Sequence, residues 1–93
     1  MKIARFVNEL KKTRGAKAYV IVYADPKMAE NVTYLIRNTN WMFQKRKIAP
    51  DRIVLLKGGF REHTTAEFFI VPKGAVPPVP TPTIDDKGMT LRP

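Results

Sequence analysis

Residues Lys17 to Pro26 read KAYVIVYADP, and this stretch limits the fold more than any other. From Tyr19 to Ala24 six apolar or aromatic residues run unbroken, and Asp25 and Pro26 end the run. A β-branched, aromatic run of this length is too short for a buried helix and fits a strand covered on both faces. Proline cannot continue a central strand and suits a turn or the first turn of a helix. Asp25 therefore falls just past the strand's carboxyl end, where open α/β-type sheets place their ligand groups. The rest of the chain must cover this strand, pair with it, or face Asp25.

Before the strand, Ile3, Phe6, Val7 and Leu10 recur at the i, i+3, i+4, i+7 spacing of an amphipathic helix. Lys11, Lys12 and Arg14 crowd its last turn, where cations suit the helix dipole, and Gly15 supplies the stop. After the strand, from Pro26 or Lys27 to about Lys47, the pattern predicts a second helix with Val32, Leu35, Ile36 and Phe43 on one face. Thr39 fills the intervening turn, and Met28 and Met42 lie near the edges. Tyr34, Arg37, Asn38, Trp41 and Lys45 lie off that face, and Trp41 is expected to be half-buried at the boundary.

A turn at Ala49-Pro50-Asp51 leads into a second strand, Arg52 to Lys57. Gly58-Gly59 is expected to break it, Phe60 to His63 to connect, and Thr65 to Val71 to form a third strand. Glu67 interrupts the apolar pattern there, which points to an edge or a partly solvated face. The elements predict an α+β domain of order α-β-α-β-β, with two helices over one face of a small mixed three-stranded sheet.

That compact unit spans residues 1–73. Residues 74–93 differ: they hold five prolines and no helical or strand period, so an extended, partly polyproline-like arm is expected. Such an arm is either a spacer or a segment ordered by docking, and Pro77, Pro78, Pro80, Ile84, Met89 and Leu91 are its candidate contact residues.

Composition sets outer limits. At 93 residues the chain forms one small domain at most. No apolar run approaches the ~20 residues of a spanning helix. MKIARFVNEL lacks the continuous apolar stretch of a signal peptide, so export would need a targeting segment outside this sequence. Cysteine is absent, which excludes disulfides and thiolate metal sites, and serine is absent too. The two commonest nucleophiles of covalent catalysis are thus missing, and no enzymatic activity is expected.

The net charge is +9, carried largely by two clusters. Residues 1–17 hold six bases against Glu9, and residues 41–61 hold six more, Arg61 among them, against Asp51. A basic body of this kind favours anionic partners such as nucleic acid, anionic lipid or an acidic protein face. No RRM-type aromatic signature accompanies it, although a small basic nucleic-acid-binding protein stays an alternative reading. One histidine, His63, beside Glu62 has no partner constellation for acid–base work or zinc, so neither metal nor cofactor is expected. The pair that best fits a ligand is Asp25 with Arg37, which together suit a zwitterion, carboxylate to arginine and ammonium to aspartate. A plain ion pair, or two unconnected surface charges, fits the same two residues.

Several of these segments together resemble the OmpA-like domain, the peptidoglycan-associated domain shared by outer membrane protein A, MotB and peptidoglycan-associated lipoproteins. The carriers are the helix ending in Leu10, VIVYAD with its terminal Asp25, the helix containing Arg37, IAPDRI, the glycine pair and AEFFIV. The wording is most similar to a compact branch of envelope proteins with a GGYRE motif, here GGFRE at Gly58–Glu62, then EFFIVP at Glu67–Pro72 and PTPT at Pro80–Thr83. The likeness covers roughly residues 3–83. It implies a periplasmic or cell-envelope location and an accessory or structural role among protein subunits of an envelope or membrane complex. It also implies, as an alternative, peptidoglycan binding, with the diaminopimelate-binding Asp and Arg of the family falling on Asp25 and Arg37.

Overall fold

A computed structural model describes residues 3–85 and Met89. Two helices and three strands follow in the order α1 (Ile3–Lys12), β1 (Lys17–Ala24), α2 (Asn31–Lys45), β2 (Ile53–Phe60) and β3 (Thr65–Val71). The strand order is β2-β1-β3, with β1 parallel to β2 and antiparallel to β3. The class is α+β with a mixed sheet, and Tyr19–Ala24 lies in its central strand.

Side chains alternate across a strand, so β1 serves two layers. Ala18, Val20, Val22 and Ala24 meet Phe6, Val7 and Leu10 of α1 and Val32 and Phe43 of α2 in the main core. Phe6, Phe43 and Phe68 bring α1, α2 and β3 together, with ring centroids 5.4 to 6.5 Å apart. Ile21 and Tyr23 belong to the opposite face and are also fully buried. The strand is therefore enclosed from both sides, as its unbroken apolar run requires.

Three local outcomes differ from the expectations. Asp25 and Pro26 open a single 3-10 turn, Pro26–Met28, before α2 begins at Asn31. Asp25 Oδ1 accepts the Lys27 N–H at 2.9 Å, so the carboxylate caps this turn in place of starting one long helix. Strand β2 also runs through the glycine pair. Val22 pairs with Lys57 and Tyr23 with Gly59, so Gly58 is the extra residue of a register shift. An added Cβ at Gly58 would stand 2.5 Å from Ile21 Cγ2, so only glycine fits. Trp41 lies outside the core, with 57% of its surface exposed.

The proline-rich segment is part of the domain as far as Ile84. Val71 pairs with Lys17 at the start of β1, while Phe60 pairs with Ala24 at its end. The arm leaves β3 through a turn closed by Ala75 N–H to the Pro72 carbonyl. It arrives at Phe60, whose carbonyl accepts N–H groups of Thr83 and Ile84 at 3.0 and 3.3 Å. It therefore traverses the length of β1 as a diagonal strap. Thr81 N–H donates to Tyr23 Oη at 2.9 Å, and Pro82 lies over Gly59. Prolines suit this course, because they lower the entropy lost on ordering and no strand ladder needs their missing N–H.

Candidate functional site

Two of the cations that the sequence clusters together, Arg52 and Arg61, have internal duties. Arg52 donates to the carbonyls of Leu10, Thr13 and Ala16 at 2.7, 3.1 and 3.1 Å. It thus adds a charged donor to the carbonyls at the end of α1 and in the connection to β1, where Gly15 takes φ +77°. Arg61 stacks its guanidinium 3.7 Å from the centre of the Tyr23 ring. The same group donates to Thr81 Oγ1 at 2.6 Å and to Glu67 Oε1 at 3.3 Å. Arg61 is accordingly a clamp on the arm. Glu67 occupies edge strand β3, as its place in the apolar pattern suggested.

Asp25 and Arg37 are not joined. Asp25 carries the turn-capping bond, and its backbone N–H meets Thr64 Oγ1 at 3.4 Å. Arg37 is exposed on the second turn of α2, with no hydrogen bond or ion pair to any described residue. A cleft of about 370 Å³ lies between the carboxyl ends of β1 and β2 and the start of α2. Ala24, Val32, Thr33, Lys57, Gly59 and Phe60 line it, and neither Asp25 nor Arg37 does.

Of the arm's candidate contact residues, Pro78, Pro80 and Ile84 are half-buried, and Ile84 forms an antiparallel bridge with Phe60. Pro77 and Met89 are exposed, and Leu91 lies outside the described residues. His63 is exposed and its carbonyl accepts the Thr65 hydroxyl at 2.8 Å. Among the described residues no cluster of His, Cys, Asp or Glu could hold a metal ion. Nor is any helix among them long and apolar enough to cross a membrane.

The exposed residues do converge on the outer side of α2. Tyr34, Asn38, Trp41 and Lys45 follow one stripe at i, i+4, i+7 and i+11, with Arg37 beside it. Tyr34 and Trp41 expose 66% and 57% of their surfaces. Lys45 Nζ sits 4.9 Å from the centre of the Trp41 ring. Trp41, Met42, Lys45 and Arg46 line an open groove, two of them apolar and two cationic. At the helix end, Lys47 takes φ +62°, which turns the chain so that Ile48 enters the core while Lys45, Arg46 and Lys47 stay in solvent. From Asn31 to Pro50 there is no acidic residue, against four bases. Counting acids in that window, and noting two aromatics seven residues apart off the apolar face, would have marked this surface from sequence. The Arg52 cap and the Tyr23–Thr81 bond join residues far apart in the chain and carry no local signal.

No protein-family model matches the chain, and neither does any curated protein or solved structure.

Proposed function

We propose that this protein is a non-enzymatic accessory or structural subunit of a bacterial cell-envelope assembly, held there through its basic surface. The observation that carries the reading is the outer side of α2, where exposed Tyr34 and Trp41 stand among Arg37, Lys45, Arg46 and Lys47 with no acid between them. Large aromatics left in solvent beside arginine are the composition of binding surfaces rather than of inert ones. The envelope setting rests on the GGFRE, EFFIVP and PTPT wording. The arm contributes by closing the domain, which leaves α2 as the principal contact surface.

Affinity capture from detergent-solubilised envelopes tests this, using the full chain. The Trp41→Ala variant and the triple variant Lys45→Gln, Arg46→Gln, Lys47→Gln should lose the co-purifying subunits. Retention of the same subunits by both variants overturns the reading.

Peptidoglycan recognition is a second reading, favoured by one observation. The Arg37 guanidinium and the second carboxylate oxygen of Asp25 have no partner among the described residues, so each is open to a charged group of a ligand.

A further inference from the structure

The geometry points to an anionic phospholipid surface as what the outer side of α2 rests on, an inference built on the reading of that side as the contact surface. Tyr34 and Trp41 each pair an apolar ring with a polar handle, the combination that settles at a water–hydrocarbon boundary. The groove beside Trp41 combines the matching chemistries: Trp41 and Met42 supply apolar lining, and Lys45 and Arg46 supply cations. A lipid offers their complements, an apolar chain and a phosphate. Lys47 follows at the helix end, so three consecutive cations reach solvent at one end of the aromatic stripe. The stripe from Tyr34 to Lys45 advances eleven residues, about 16 Å along the axis, enough for α2 to lie flat on a surface.

Single-stranded nucleic acid fits less well. The Lys45 ammonium stands over one face of Trp41, which leaves a base a single face of that ring to stack on. The opposite sign of charge on the two parties, aided by aromatic anchoring, is the interaction that polybasic peripheral segments use at anionic leaflets.

Co-sedimentation of the full chain with phosphatidylglycerol/phosphatidylcholine vesicles tests the inference, read alongside fluorescence from Trp41, the only tryptophan. Anionic vesicles should shift its emission to the blue and bind the protein, pure phosphatidylcholine should do neither, and high salt should release it. Changing Lys45, Arg46 and Lys47 to Gln together should weaken partitioning about 100-fold. Changing Lys11, Lys12 and Arg14 to Gln removes equal charge from the other cluster and should weaken it far less. An unshifted emission, equal losses in the two triple variants, or binding to single-stranded RNA with none to anionic vesicles overturns the inference. The wild-type fluorescence needs no variant, so misfolding of a mutant cannot mask the answer. If vesicles fail while envelope capture still depends on Trp41, only the lipid assignment falls. If neither depends on α2, the proposed contact surface falls with it.

Discussion

Replacing Gly58 with alanine should be among the most damaging single-methyl changes in this protein. The new Cβ would stand 2.5 Å from Ile21 Cγ2, 2.6 Å from Tyr23 Cε1 and 3.0 Å from Tyr23 Cδ1. Carbon atoms in good contact sit about 3.5–4.0 Å apart, so the overlap approaches ~1 Å at two centres. Neither neighbour can yield cheaply. Ile21 and Tyr23 are wholly buried, and the Tyr23 hydroxyl is tied to Thr81 N–H at 2.9 Å. Gly58 is not among the glycines with positive φ, so the penalty is steric and does not come from backbone strain. Overpacking a full core costs about 1–3 kcal/mol and this site belongs at the top of that range. A loss of about 3 kcal/mol corresponds to a fall in Tm of about 12–24 °C for a domain of this size. Urea and thermal unfolding followed by circular dichroism would measure it. Gly74→Ala is the control: φ is +85° with nothing within 4 Å, so its cost is backbone alone, about 1 kcal/mol. A Gly58→Ala protein no less stable than Gly74→Ala would refute the account of β1 as enclosed on both faces.

Arg52→Ala deprives the carbonyls of Leu10, Thr13 and Ala16 of their charged donor and should cost about 2 kcal/mol in urea unfolding, with Arg52→Lys between it and wild type; an unchanged midpoint contradicts this role. Tyr23→Phe removes the acceptor of Thr81 N–H and should cost about 1 kcal/mol. Hydrogen exchange at Thr81 and Thr83 should accelerate while β1 amides stay protected, and uniform protection would argue against the strap. Asp25→Ala should cost about 1 kcal/mol through the lost cap, whereas Arg37→Ala should stay within about 0.5 kcal/mol of wild type. If peptidoglycan is a ligand, both substitutions should also abolish co-sedimentation with purified sacculi, and binding retained in both rejects that reading.

Both helices were legible from a 3.6-residue period, and the strands from short apolar runs bounded by turn residues, which together give the α+β class. Leu10 and Phe43 fall where the 3.6-residue repeat puts them and Val20 lies within the unbroken apolar run, and each is fully buried. What stayed illegible depends on contacts between distant residues. Gly58-Gly59 reads locally as a strand breaker, yet β2 continues through it because Ile21 and Tyr23 fill the space a Cβ would take. The prolines after Gly74 read as an extended arm, but that they lie along β1 depends on Arg61, Tyr23 and Thr81, which are up to 58 residues apart. Trp41 was expected at the edge of the core. It stands clear because Thr39 and Phe43 take the inward positions on this part of α2. The candidate site was legible in composition only. Asp25 and Arg37 were singled out by residue type, and the fold gives the first a capping bond and leaves the second in solvent.

The division of labour between α2 and the arm can be read in one experiment. A photo-crosslinking amino acid placed at position 41 of the full chain, and separately at position 80, would report what each surface touches in bacterial envelopes. The account predicts adducts to envelope components from position 41 and only internal products, or none, from position 80. Adducts from position 80 with none from position 41 would contradict it.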